Sequence, residues 1–146
     1  MVMIKEFTEK YNWLSNFFPC WITLNGVTFQ SVEHAYQSEK SSDLDWKKKC
    51  QEILSPGKIK RDAKKLEINR KEWDKKKLKI MEICIDQKFS KEPFRTKLLE
   101  TGEEEIQEGN NWNDEFWGVN LKTGKGSNHL GKLIMKKRDR LNNKIF

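Results

Sequence analysis

A chain of 146 residues is long enough to bury a core without disulfides or a structural metal, and one domain, 1–146, is the expectation at that length. Charged residues make up 35% and aromatic residues 11% of the chain, with six tryptophans, which is too much large apolar surface for a disordered polypeptide. The net charge of +7 points toward anionic partners, while the longest apolar run, near residues 17–22, is far too short to span a bilayer.

The opening residues 3–7 suit an edge strand, and they carry Lys5 and Glu6 before any apolar run develops, so nothing reads as an export signal and a cytoplasmic setting is expected. Cys20, Cys50 and Cys84 are odd in number and widely spaced, which argues for a reducing compartment and against a disulfide framework or a zinc site. Residues 11–19 form a loop dense in aromatics. Trp13, Phe17 and Phe18 must bury, either as a plug under the following hairpin or as the lining of a pocket for a flat ligand, with Asn16 able to offer an amide.

Asn25-Gly26 separates two strand-like runs, 21–24 and 27–29, and both residues tolerate positive φ, so a β-hairpin is predicted whose second strand ends near Gln30. Ser31 can then cap a helix and place Glu33 in its first turn, where unpaired N–H groups and the helix dipole favour a carboxylate. Glu33, Tyr36, Gln37 and Lys40 follow at three- and four-residue steps, which puts an acid, a phenol, an amide and an ammonium on one face. That face can be a pocket wall, or Glu33 can be an ordinary first-turn glutamate with an i,i+4 partner. His34 reads as a structural histidine, since no second ligand lies at i+4.

A short helix is expected over 43–53. A second, with Ser55 as N-cap and Pro56 in its first turn, is expected through Leu66. Trp73, Lys77, Ile80, Met81, Cys84, Ile85 and Phe89 recur near a 3.6-residue period, predicting a longer helix over 71–89 with one inward stripe. Residues 41–80 hold all of the net charge, 14 Lys and Arg against 7 Asp and Glu, whereas the rest of the chain has 15 of each. The stretch 47–79 is therefore either a guide for phosphates or nucleic acid, or a solvated lysine-rich face.

Ser90 is placed to cap a helix running to Glu100, with Thr101-Gly102 as its stop; 103–108 suits a short acidic strand, and 109–118 is a loop of amides, acids and two tryptophans. Gly124-Lys125-Gly126-Ser127-Asn128 supplies backbone N–H groups and a lysine just before a last amphipathic helix, an arrangement able to hold phosphate, although the spacing is not Walker A. Gly131 can let that helix approach another backbone closely.

Ser15-Asn16-Phe17, the block from Phe29 through Ser31, Glu33-His34 and Gln37 to Lys40, Trp73, Asn113-Asp114 with Trp117-Gly118, and Gly124-Lys125-Gly126 with Asn128 and Gly131 resemble the NADAR, or YbiA-like, family in order and interval over nearly the whole chain. The resemblance implies a helix-rich α+β single domain packed around a small β-sheet. It also implies N-glycosidase activity on riboflavin-pathway ribosylamino-pyrimidine phosphates or on ADP-ribosylated nucleobases, with no metal or redox cofactor. Its acidic and aromatic site positions fall on Glu33, Trp73 and Asp114, with Asn16, Lys40, Trp117 and Asn128 as further substrate contacts. The stretch 120–123 departs from the pattern and bears on the phosphate end.

Those residue types suit the chemistry. Breaking a ribosyl C–N bond builds oxocarbenium-like charge at the anomeric carbon, which a fixed carboxylate stabilises more in the transition state than in the ground state. A second acid or base must manage protons, which makes Glu33 and Asp114 the candidate catalytic pair, their division of roles left open by sequence. Trp73 or Trp117 would stack on the base, and Lys40, Lys125 and the Gly-rich turn would hold phosphate. The rival reading is a non-catalytic ADP-ribose- or nucleic-acid-binding module that uses the basic segment and the tryptophans.

Overall fold

The hairpin and the helix that follows it form as the sequence predicts. In the computed structural model, which describes residues 3–143, β2 (Pro19–Leu24) pairs antiparallel with β3 (Val27–Ser31), in a register that sets Ile22 opposite Phe29 and Leu24 opposite Val27. Asn25 and Gly26 take φ of 51° and 78°, the left-handed pair that a two-residue turn of this hand requires. Alternation along β2 leaves Cys20, Ile22 and Leu24 inside and Trp21 65% exposed.

These strands belong to one of two compact units, the mid-chain unit Asn16–Lys88; the other, the terminal unit, joins the residues up to Ser15 with those from Phe89 onward. In the mid-chain unit, α1 (Val32–Ser38) packs on the hairpin and on α2 (Leu44–Glu52) and α3 (Pro56–Ala63). All seven residues of α1 are buried. Asp43 caps α2 and Ser55 caps α3, with Pro56 in the first turn. The long helix α4 (Arg70–Phe89) buries Trp73, Met81, Cys84, Ile85 and Phe89, the stripe that the periodicity predicts.

Part of the lysine excess between residues 41 and 80 is neutralised within this unit. The Asp62 carboxylate on α3 lies 3.0 Å from Lys49 Nζ and 3.1 Å from Lys58 Nζ, with Lys65 at 4.0 Å. Hydrogen bonds from Lys49 and Lys58 lower its pKa from 3.8 to about 2. A carboxylate with a depressed folded-state value stabilises fully above the unfolded-state value and loses that contribution as pH falls through the folded one. The melting-temperature gap between the parent and Asp62→Asn should therefore close as pH drops from about 5 to about 2. It should narrow in high salt as well, because these lysines reach solvent. Thermal unfolding across that range checks both, and a gap independent of pH would refute the assignment.

In the terminal unit, β1 (Met3–Ile4) runs parallel to β4 (Glu105–Ile106), and β5 (Gly109–Asn110) runs parallel to β6 (Val119–Asn120). Among the described residues, the one small sheet expected from sequence is realised as three separate two-stranded pairs. Both predicted acidic and edge strands shrink to two residues, since each has only two partners in register. The aromatic loop contains a 3-10 helix, Glu9–Leu14, that buries Trp13 edge-on to Phe89 at 6.4 Å, so Trp13 is core, whereas Phe17 of the mid-chain unit is 42% exposed.

α5 (Phe94–Glu100) starts three residues later than the Ser90 cap signal suggests: Pro93 occupies the capping position and has no side-chain acceptor, and Glu92 Oε1 accepts the first-turn Thr96 N–H instead (3.0 Å). Thr101-Gly102 ends it as expected, Gly102 at φ 62°. Against β4 lies α6 (His129–Asn143), where a Cβ on Gly131 would collide with the Ile106 carbonyl, which is why glycine stands there. Its buried cations are satisfied: Lys137 Nζ donates to Ser90 Oγ (2.9 Å) and Arg138 Nη1 to Thr101 Oγ1 (2.8 Å). Among the described residues no helix is long and apolar enough to cross a membrane.

Candidate active site

A helix with no solvent-facing side should carry only apolar residues, yet α1 holds Glu33, His34 and Gln37 at 7%, 1% and 4% exposure. Burying such groups is costly unless each is paired. His34 is paired at both nitrogens: Nε2 donates to the Ile53 carbonyl at 2.8 Å, which leaves Nδ1 to accept from the Ser31 hydroxyl at 2.7 Å. Ser31 Oγ in turn accepts the His34 backbone N–H. Burial lowers the His34 pKa, opposed by its hydrogen bonds to the Ile53 and Leu54 backbone, so the imidazole is a neutral strut tying α1 to the end of α2.

Glu33 is held differently. Its backbone N–H donates to the Asn16 carbonyl (3.1 Å), docking the 15–18 loop on the first turn of α1. Its carboxylate accepts a 2.6 Å bond from Gln37 Nε2, one helical turn on. Another turn along, Lys40 lays its ammonium 5.8 Å from the Tyr36 ring centre and 5.5 Å from that of Trp73, and the two rings meet edge-to-face at 5.2 Å. Burial lowers the Lys40 pKa, Glu33 opposes that, and Arg70, Lys60 and Lys77 add to the lowering. The predicted polar face of Glu33, Tyr36, Gln37 and Lys40 is thus assembled, with Glu33, Tyr36 and Gln37 buried where a solvated first-turn glutamate would be exposed and Lys40 half-buried.

Beside it opens a cleft of about 230 Å³ lined by Lys40, Ser41, Ser42, Glu67, Ile68, Asn69, Glu72, Trp73 and Lys76. Its two ammonium groups, hydroxyls and amide are donors that suit a phosphoryl group, and its two carboxylates offset their charge. Trp73 is only 3% exposed, with the Lys76 ammonium 5.9 Å from its ring centre, so it is more wall than open platform. Asn16 points Nδ2 at Met81 Sδ, 3.6 Å away, and its Oδ1 is buried.

The remaining sequence candidates lie in the terminal unit. Asn110, buried to 1%, organises the 109–118 loop: Oδ1 accepts from Trp112 N and Asp114 N, while Nδ2 donates to the Asp114 carbonyl and to Glu108 Oε2. Spacing gave no hint of this hub. Asp114 Oδ1 accepts from Phe116 N (3.1 Å) and Trp117 N (2.9 Å), fixing the turn that presents Trp117, whose ring meets Phe116 edge-on at 4.9 Å. Asn128 spends its amide on backbone, donating to the Ile106 carbonyl and accepting from Glu108 N, much as a strand partner would. Lys125 is exposed, and its carbonyl accepts from Asn120 N.

The Asp114 turn has a direct test. Asp114→Asn retains an oxygen able to accept both N–H groups and should melt close to the parent, whereas Asp114→Ala should lose about 1–2 kcal/mol in urea unfolding. Equal losses in both would mean that the charge, not the turn, is what stabilises.

Residues 3–142 match the family model of the NADAR domain. The chain belongs to the NADAR family. NADAR relatives include the N-glycosidase YbiA of Escherichia coli, 31% identical over 138 residues that cover 92% of this chain and 84% of that protein. An N-glycosidase of Nostoc punctiforme is 32% identical over 145 residues, covering 92% and 88%. A riboflavin biosynthesis protein of Vibrio vulnificus is 31% identical over 137 residues, 91% of this chain but 36% of that protein, so the chain spans about a third of its length. The NMR structure of E. coli YbiA matches with a TM-score of 0.83 at 28% identity, over 98% of this chain and 85% of the other. The NADAR resemblance and the helix-rich α+β architecture read from sequence both hold.

Proposed function

We propose that this chain is a hydrolase acting on N-glycosyl compounds, an N-glycosidase that breaks a ribosyl C–N bond, with Glu33 as the carboxylate beside the anomeric carbon. The observation that carries this reading is the Glu33 side chain itself: 93% buried on a helix without a solvent face, aligned by Gln37 and interacting electrostatically with Lys40, which lines the cleft. Water supplies OH to the anomeric carbon, the C–N electron pair leaves with the base nitrogen, and a proton is delivered to that nitrogen. Oxocarbenium-like charge developing at the carbon is what a desolvated, positioned carboxylate stabilises.

Lys40 and the cleft beside it would hold the phosphoryl end, with Trp73 as the wall against which the base or sugar rests, and Asn16 as a polar contact from the loop. Asp114 as second acid, with Trp117, Lys125 and Asn128 as substrate contacts, rests on the family resemblance. The whole of 1–146 is taken as one NADAR domain because the family model runs through both units. A cytoplasmic setting suits three unbridged, buried cysteines.

Relatives named for riboflavin biosynthesis favour a ribosylamino-pyrimidine phosphate as substrate. Purified protein should be incubated with that compound and, separately, with ADP-ribosylated nucleosides and ADP-ribosylated single-stranded nucleic acid, with the freed pyrimidine identified by mass spectrometry in the first case and free ADP-ribose in the others. Release from one class names the substrate. Binding without release from any of them would make the chain a non-catalytic ADP-ribose or nucleic-acid module, with residues 47–79 as the contact.

A further inference from the structure

Two buried side-chain oxygens have no hydrogen-bond partner among the described residues: Gln37 Oε1 and Asn16 Oδ1. The Gln37 amide is fixed to Glu33 by its 2.6 Å bond to the carboxylate, and the Asn16 backbone carbonyl accepts the Glu33 N–H while its side-chain amide faces Met81 Sδ. The Gln37 amide cannot turn over to hide its oxygen, because that would set two oxygens 2.6 Å apart. Its backbone is pinned as well, since Trp46 Nε1 donates to the Gln37 carbonyl at 2.9 Å. A buried amide oxygen held unpaired is costly, and proteins keep few of them.

Acceptors of this kind call for a donor, which excludes an anionic group as their ligand and suits a hydroxyl. Resting on the glycosidase reading above, we infer that Gln37, seconded by Asn16, is a sugar-selecting residue whose side-chain oxygen accepts a hydrogen bond from the pentose 2-hydroxyl. That hydroxyl is the one next to the anomeric carbon, and Gln37 is the side chain bonded to the carboxylate assigned to that carbon. The protein therefore cleaves ribosyl N-glycosides and rejects their 2-deoxyribosyl counterparts. A site built to pair a hydroxyl rejects the analogue that lacks it, because its own polar atom is then stranded. Solution chemistry runs the other way: an electron-withdrawing 2-hydroxyl slows C–N cleavage, so any preference for ribose must come from the protein.

The test compares kcat/KM for base release from a ribosylamino-pyrimidine 5-phosphate and from its 2-deoxy and 3-deoxy counterparts. Unsubstituted protein should disfavour the 2-deoxy compound by about 100-fold or more. Gln37→Met, close in shape but without the acceptor, should bring that ratio to within a few-fold of parity and leave the 3-deoxy ratio alone. Using a ratio cancels any general damage from removing the donor to Glu33. Equal cleavage of ribosyl and 2-deoxyribosyl compounds by the unsubstituted protein overturns the inference while leaving the glycosidase reading intact, and needs no variant to fold. A folded Gln37→Met protein that keeps the full ratio overturns it too. Release from none of the compounds removes the glycosidase reading and this inference together.

Discussion

Glu33→Gln should slow base release in single-turnover assays by about 10³-fold, the range seen when a positioned acid, base or charge stabiliser is removed. The fold should hardly notice. Glutamine matches glutamate in shape, its amide oxygen can still accept from Gln37 Nε2, and the backbone bond from residue 33 to the Asn16 carbonyl does not involve the side chain. What disappears is the carboxylate charge at a position only 7% exposed. Lys40 should report the same loss independently: Glu33 is the group that opposes the effect of burial on its ammonium, so in the variant Lys40 should shed its proton at lower pH than in the parent. Binding of a phosphorylated ligand should then weaken at a lower pH. A folded variant with near-parent rates would move the chemistry elsewhere.

Trp73→Ala should cost about 3–5 kcal/mol of stability, the usual range for emptying a buried aromatic site. The indole is 3% exposed, sits edge-to-face with Tyr36, and has the Lys40 and Lys76 ammonium groups near its ring. Removing it leaves a void at the start of α4 and takes away the ring that Lys40 rests on. Trp73→Phe keeps a ring there and should recover more than half of that loss in chemical denaturation, with base release reduced but measurable. If both proteins fold equally well and both lose all activity, Trp73 contacts substrate first and supports the fold second.

The sequence was most readable where one residue type has one conformational use. Asn25-Gly26 could only sensibly be a left-handed pair, Ser31 and Ser55 stand where helices need acceptors, and the α4 stripe repeats often enough to set its own phase. The start of α5 is not legible because Ser90 has the chemistry of a cap, whereas the backbone turns once more before Phe94. The parallel pairs β1–β4 and β5–β6 were beyond local pattern, since two-residue ladders between distant segments leave no alternation to detect. Within the candidate site, spacing placed Glu33, Gln37 and Lys40 on one face but could not say that the face is buried. The role of Asn110 was hidden for a different reason: a side chain that bonds its own loop leaves the same sequence trace as one that faces solvent.

A helix sealed on every side also changes how mutational surveys of this protein must be interpreted. With all of Val32–Ser38 enclosed, a selection that scores only cellular abundance will already reject most replacements there, so intolerance along α1 says little about catalysis. The informative quantity is the excess of activity loss over abundance loss at each position. Helical neighbours such as Val32 and Ala35 supply the baseline against which Glu33 and Gln37 must stand out.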